Sequence, residues 1–247
     1  MWQEPFERYA RAMQNEALAP YQKHLSRHRA GLAAKRALDV AAALICLLLP
    51  LPLYIAAAVA IKLSSPGPVF YRQLRVGRMG KPFRVLKFRT MQTGADKSGE
   101  ITVGSGDARI TGVGKVLRAT NFDEFPQFWQ VLTGEMSIIG VRPEVPHYVD
   151  YYTPEDFATL LLRPGMTSPV AIAYRHENDL LAGADDPESC YIQEILPAKM
   201  EINRRYVLDF SFGNDWRILG RTFRCLFERD QLLNQKQANH SSGHSNK

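Results

Sequence analysis

Between Val40 and Ile61 the chain runs for 22 residues without a charged side chain, built mostly from Leu, Ala, Ile and Val. About 20 apolar residues in helical form match the hydrocarbon thickness of a bilayer, so this stretch is expected to reside in a membrane. Pro50 and Pro52 stand at its midpoint, where each removes a backbone donor and forces a bend. Each half is then roughly ten residues, or about 15 Å of helix, which reaches only the bilayer centre. The flanks agree. Lys35 and Arg36 precede the run, and Lys62, Arg72, Arg75, Arg78, Lys81, Arg84, Lys87 and Arg89 follow it. A straight span would send one basic flank outside, whereas a re-entrant helix-break-helix keeps both on the cytoplasmic face. The bend would expose backbone carbonyls at depth, which protein or side chains must cover.

The run divides the chain into four expected regions: 1–34, an amphipathic and basic segment; 35–63, the re-entrant helix; 64–232, a cytoplasmic domain; and 233–247, a disordered polar tail. Nothing at the N-terminus reads as a cleavable signal, because the first residues alternate charge with aromatics. Phe6, Tyr9 and Met13 are spaced for a short amphipathic helix before Pro20, which could lie on the membrane or pack on protein. Cys46, Cys190 and Cys225 have no metal-binding or paired spacing, so neither disulfides nor zinc are expected and a reducing compartment is. The formal charge of +6 implies anionic partners. Nucleic acid is disfavoured among them, because the cations cluster around the apolar run.

After Pro68 the pattern changes to Val69 and Tyr71, then Phe83, Val85 and Phe88, separated by a basic turn: two strands or a hairpin. Residues 92–109 read as a glycine-rich loop, and Gly112-Val113-Gly114 as a turn ahead of a basic helix. Tyr148 to Leu162 is expected as helix, residues 163–167 as a turn, and Val170 to Tyr174 as a strand. Residues 187–208 carry a helical pattern kinked at Pro197, and Trp216 to Phe227 an aromatic, basic amphipathic helix suited to a headgroup interface. The fold class is α+β, mainly α.

Candidate chemistry concentrates between Lys115 and Glu144, where the adjacent acids Asp123 and Glu124 stand between Arg118 and Arg142. Asn121 has the spacing of a helix N-cap with Glu124 as the partner in a capping box, and Asp123 is the alternative cap with Pro126 in the first turn. On that reading alone the acids do no more than complement a helix dipole, although a helix start also favours phosphate. A glycoside-hydrolase role is excluded, since it needs carboxyls flanking a sugar roughly 5 Å or more apart and neighbours on a helix start do not face each other.

The basic lead-in, the proline-broken apolar run, Lys87-Phe88-Arg89-Thr90-Met91, Arg118 with Asp123-Glu124, Met136-Ser137 and Arg142-Pro143 occur in an order that resembles the bacterial sugar transferase family, the monotopic phosphoglycosyl transferases. The resemblance covers about residues 32–227. It implies an enzyme on the cytoplasmic face of the bacterial inner membrane. Such an enzyme moves a sugar 1-phosphate from a UDP-sugar to undecaprenyl phosphate, releases UMP, and begins a polysaccharide or glycoconjugate.

Carried onto this chain, the resemblance implies that Asp123 is the nucleophile forming an aspartyl phosphosugar and that Glu124 is a Mg2+ ligand. Lys87, Arg118 and Arg142 match positions that bind phosphate or nucleotide, and Gln127 lies in the same acid-led motif. The chemistry suits these residues, since displacement at a pyrophosphate needs charge neutralisation more than proton transfer. Three departures stand out: Leu49-Pro50 where members carry Ser-Pro, Val141 where Pro is frequent, and Ser168-Pro169-Val170 where Gly-Trp is usual. The first removes a hydroxyl that would satisfy a freed carbonyl at the bend. A membrane-anchored basic scaffold that binds anionic lipid or a partner without chemistry is the alternative. The sugar and any homodimer are left open by the sequence.

Overall fold

The computed structural model describes residues 4–95, 107–175 and 177–225. Helix α1 (Glu4–Ala12) carries Phe6 and Tyr9 on one face, and these side chains are buried together with Met13 just beyond its end. The Tyr9 hydroxyl bonds to the Pro146 carbonyl at 2.9 Å and to Asp150 at 2.5 Å. Of the two settings open to this helix, packing on protein is the one realised. Pro20 lies in the first turn of α2 (Ala19–Arg27), where its missing donor costs little.

Helices α3 (Arg29–Leu48) and α4 (Leu51–Ser64) form the expected broken pair, bent by 60°. Among the described residues no single helix is long and apolar enough to cross a membrane. The bend is also where apolar side chains are left uncovered: Leu48 is 68% exposed and Leu49 80%, with Ile45, Leu51, Leu53, Ile55 and Val59 alongside. Exposed apolar surface of this extent marks an interaction site, for a membrane or for protein.

Strands β1 (Phe70–Val76) and β2 (Pro82–Phe88) pair antiparallel with Tyr71 opposite Lys87, as the alternation predicts. Helix α5 (Gly112–Ala119) follows, capped by the Thr111 hydroxyl, which accepts from the Gly114 N–H at 2.9 Å. The glycines expected as a preceding turn are therefore the first turn of the helix itself. Gly114 is required there, because a Cβ would strike the Thr90 carbonyl. A single 3-10 turn, Phe122–Glu124, leads to α6 (Gln127–Thr133), which ends at left-handed Gly134.

Three expectations fail beyond this point. Strand β3 (Ser137–Ile139) pairs in parallel with β4 (Gly165–Thr167), so the expected turn at 163–167 is a strand. The backbones of Gly140 and Gly165 meet too closely for any side chain at either position. The expected helix from Tyr148 to Leu162 is two pieces, α7 (Pro146–Val149) and a 3-10 helix at Asp156–Leu161, because the chain is pinned at Asp156. That carboxylate accepts from the Thr153 N–H at 2.9 Å and pairs with Arg204. The expected strand at 170–174 is α8 (Pro169–Ala173): Ser168 caps it by accepting from Ala171 N–H at 2.9 Å, and Pro169 occupies the first turn.

Short helices α9 (Glu177–Ala182) and α10 (Pro187–Cys190) precede a π-helical turn at Tyr191–Ile195 and α11 (Leu196–Leu208). The break expected in this helix is the π turn, with Pro197 in the first turn of α11. Residues 212–225 form the last described helix, with Ile218 buried and Trp216 and Phe223 exposed. Leu226 and Phe227, most of the expected 92–109 loop and the tail lie outside the described residues. All three cysteines are free.

The broken helix pair is locked to the domain by polar contacts at several levels. Arg36 donates to the carbonyls of Val131 at 2.5 Å and Leu132 at 2.9 Å, closing the C-terminus of α6. Buried Asp39 accepts the Ile138 N–H at 3.0 Å. Buried Arg89 donates to the carbonyls of Ser65 at 2.7 Å and Pro66 at 3.0 Å, capping the chain where it leaves α4.

Candidate active site

Strand alternation decides the first wall of the site. Phe88 is buried against Ala57, Ile61 and Leu117, so its neighbour Lys87 faces the other way. Arg118 comes from the last turn of α5, its Nε donating to the Thr90 hydroxyl at 2.8 Å. Asp123 and Glu124 come from the 3-10 turn, and Arg142 from the segment after β3. These five side chains line one cavity of about 1020 Å³.

The expected capping box is not formed. Asn121 is left-handed, with φ 54°, and its side chain caps nothing. Asn tolerates this conformation better than most residues, and it reverses the chain after α5. Helix α6 begins only after Pro126, so the two acids stand in a separate turn ahead of it. Asp123 is not the cap either.

Glu124 spends its carboxylate on the cavity cations instead. Lys87 Nζ donates to Oε1 at 2.7 Å, and Arg142 donates to Oε1 at 2.6 Å and to Oε2 at 3.4 Å. Burial acts to raise the Glu124 pKa, but Arg142 and Lys87 overcome it and hold the group well below the usual carboxylate range. The Glu124 charge in turn raises Arg142, while burial lowers Lys87 and Arg118.

Asp123 is the opposite case. It is 8% exposed and makes no side-chain hydrogen bond or ion pair among the described residues. Burial pushes its pKa up; Lys87 counters this, and the Glu124 charge adds to it. Two neighbouring carboxylates are thus driven apart, one clamped as an anion and one largely buried without a paired cation, an arrangement typical of sites that do chemistry.

Gln127 is not brought into the cavity. It is buried at 2% exposure behind the turn, with its Nε2 unpartnered among the described residues. The opposite wall holds groups that the sequence motifs did not assign. Buried Glu144 accepts the Tyr191 hydroxyl at 2.9 Å, Lys199 donates to the same Tyr191 oxygen at 2.9 Å, and Lys199 pairs with Glu177 at 3.1 Å. One signal did exist, because Lys199 falls on the helical stripe of Leu196, Met200, Asn203 and Val207, where a charge must have a buried partner.

Among the described residues no three His, Cys, Asp or Glu side chains converge as a metal cage. The acidic pair alone is still a fitting donor set for Mg2+, which takes one or two carboxylates and completes its shell with water and substrate phosphate. Asp123, with no donor bound to it among the described residues, has oxygen lone pairs to offer such an ion.

The family model for bacterial sugar transferases matches residues 30–229. The chain belongs to that family. It is 38% identical over 199 residues to the UDP-glucose:undecaprenyl-phosphate glucose-1-phosphate transferase of Caulobacter vibrioides, covering 79% of this chain and 70% of the relative. It is 38% identical over 195 residues to the UDP-N-acetylgalactosamine-undecaprenyl-phosphate N-acetylgalactosaminephosphotransferase of Aeromonas hydrophila, covering 78% of this chain but only 43% of that relative. A Rhizobium leguminosarum exopolysaccharide production protein is 35% identical over 195 residues, covering 76% of this chain and 92% of the relative. This bacterial sugar transferase is therefore an enzyme, and the matched region holds the whole cavity.

Proposed function

We propose that this sugar transferase is a phosphoglycosyl transferase that passes a sugar 1-phosphate from a UDP-sugar to undecaprenyl phosphate. The observation that carries this reading is Asp123, a buried carboxylate with no hydrogen-bond donor among the described residues, in a cavity lined by Lys87, Arg118 and Arg142. A poorly solvated carboxylate is a better nucleophile than a solvated one, and the cations neutralise the pyrophosphate that it must approach.

In the first step an Asp123 oxygen attacks the phosphorus that bears the sugar, the bond to the UMP oxygen breaks, and UMP leaves. In the second, a phosphate oxygen of undecaprenyl phosphate attacks the same phosphorus and the aspartyl oxygen departs, leaving a polyprenyl pyrophosphate sugar and free Asp123. Splitting the transfer keeps two bulky anions from having to meet in one transition state. Lys87 and Arg142 hold Glu124 ionised between the steps, and Arg118, fixed by Thr90, supports the phosphates. Glu124, with Asp123 beside it, would hold Mg2+, which supplies charge neutralisation at the phosphates.

The acceptor presents its phosphate at the headgroup plane, which is where the α3–α4 pair would place this cavity if the bend dips into one leaflet from the cytoplasmic side. The exposed leucines at the bend and the basic flanks support that placement. Membranes containing the protein, undecaprenyl phosphate and a panel of UDP-sugars should release UMP. Without acceptor, sugar-labelled substrate should leave a covalent, hydroxylamine-labile label on the chain, absent in Asp123→Asn. UMP release undiminished in that variant would overturn the reading.

A further inference from the structure

Pro50 deprives the Cys46 carbonyl of its helical partner, since an N–H at position 50 is the donor that carbonyl would have received. The residue before Pro50 is Leu49, which has no hydroxyl to replace it. Yet the carbonyl is not orphaned. The Tyr54 hydroxyl lies 3.2 Å from the Cys46 oxygen and 3.1 Å from the Phe125 oxygen. A hydroxyl has one proton, so the two carbonyls share it. One belongs to the broken helix pair, and the other to the residue that follows Glu124.

The ring around that hydroxyl is held as firmly as the hydroxyl itself. Tyr54 packs against Phe88 at 5.7 Å, Phe122 at 5.5 Å and Phe125 at 6.4 Å between ring centroids, so it touches both ends of the turn that carries Asp123 and Glu124. Arg36, Asp39 and Arg89 also tie the helix pair to the domain, but their bonds end on α6, on β3 and on α4 itself. Tyr54 is the contact among these that ends on the catalytic turn.

We infer that Tyr54 is a positioning residue: its hydroxyl closes the proline break and, through the Phe125 carbonyl, sets the turn that aims Asp123 at the phosphate. The inference rests on the proposed role of Asp123. In this chain one side chain performs two jobs, satisfying the bend and registering the bend against the active site. An Asp123 displaced by a fraction of an ångström would still face a cavity able to bind UDP-sugar, so the loss belongs to turnover and not to substrate binding.

The test uses the full chain in membranes or nanodiscs and compares Tyr54→Phe, Leu49→Ser/Tyr54→Phe and Asp123→Asn. Tyr54→Phe keeps the ring and removes only the hydroxyl. The hydroxyl that Leu49→Ser introduces lies within reach of a carbonyl three or four residues back, so it resupplies the bend but not Phe125. Tyr54→Phe should lower kcat about tenfold, the worth of one buried hydrogen bond, with KM for UDP-sugar within about twofold. The double variant should insert as well as the parent and remain slow. A Tyr54→Phe enzyme with parental kcat would overturn the inference, as would full recovery of kcat in the double variant, which would confine the hydroxyl to the bend. If Tyr54→Phe alone fails to insert, the double variant decides by the same kcat criterion. Asp123→Asn separates the two claims: parental activity there removes the proposed nucleophile, whereas an inactive Asp123→Asn beside a fully active Tyr54→Phe removes only the positioning role.

Discussion

Arg142 reaches Glu124 Oε1 at 2.6 Å, the same oxygen that Lys87 meets at 2.7 Å from the β-hairpin. One carboxylate oxygen thus joins β2, the 3-10 turn and the segment after β3, and the candidate cavity is assembled around it. Charge-assisted bonds of this length are about twice as strong as neutral ones. The guanidinium also meets the two carboxylate oxygens with two separate nitrogens in one planar fork, a geometry an ammonium lacks.

Arg142→Gln should therefore cost more than one phosphate contact. With the clamp half-open, kcat/KM for UMP release is expected to fall about a hundredfold, in the range found for removing one preorganised electrostatic group. Arg142→Lys should recover only part of it, because the planar fork is lost. Steady-state rates for the two variants check this, and equal recovery by Lys would show that charge alone is used.

Asp123→Asn should separate stability from activity. The folded protein holds the Asp123 carboxyl above its ordinary pKa of 3.8, so near neutral pH the charged form opposes folding. The amide removes that charge with little change in shape. UMP release should vanish while the apparent Tm in detergent rises by a few degrees, at roughly 2–4 °C per kcal/mol for a chain of this size. The gain should shrink as the pH approaches 3.8 and the parent carboxyl becomes neutral too. A lower Tm at neutral pH would mean that Asp123 has a partner that stabilises its charge.

Glu124 carries the opposite sign. Its folded pKa is depressed below the ordinary 4.5, so its contribution to stability is complete above 4.5 and is lost as pH falls through the depressed value. Acid unfolding of the parent should steepen below about pH 4.5, and Glu124→Gln, already lacking the ionised clamp, should unfold with a shallower acid dependence. Parallel acid-unfolding curves for the two proteins would contradict the clamp.

The parts of this structure that were legible in sequence are those fixed by local rules. Uncharged length and two prolines foretold α3, the break and α4, and alternation foretold β1 and β2. Lys87, Arg118, Asp123, Glu124 and Arg142 were legible as a group, and the cavity collects all five. What failed depends on contacts between distant segments. Asn121, Asp123 and Glu124 have the spelling of a cap, but Lys87 and Arg142 compete for the Glu124 side chain and win by charge. Strand β4 was hidden because its five-residue neighbourhood reads as a turn until Gly140 is there to receive Gly165. Arg89 stands in the sequence as one of the cations flanking the apolar run, whereas burial at the end of α4 makes it a cap there.

That cap gives a prediction for folding without chemistry. Arg89→Ala strands the Ser65 carbonyl, leaves the Pro66 carbonyl to the Thr93 hydroxyl, and empties a buried volume under α4. The cost should be about 1–3 kcal/mol, the usual penalty for stranding a buried polar group. It should appear as a lower apparent Tm and poorer membrane recovery, with KM for UDP-sugar in the surviving protein near parental. A large rise in KM with unchanged Tm would move Arg89 from the helix end to the substrate.

The membrane geometry can be decided by chemistry at two exposed positions, Ser26 in α2 and Lys115 in α5. Helix α4 has 14 residues, about 21 Å long, which falls short of a hydrocarbon core of about 30 Å. Helix α3 is longer, but Arg36 and Asp39 hold its first half against α6 and β3, so only the part after Asp39 is free to enter lipid. Both arms are thus too short to cross separately, and a 60° bend prevents them from adding end to end. With the native cysteines replaced by Ala, Ser26→Cys and Lys115→Cys should both react with an impermeant maleimide in inside-out vesicles and both resist it in intact cells. Labelling of the two positions from opposite sides would show a straight span. The exposed leucines at the bend would then have to meet the far interface instead of the bilayer centre.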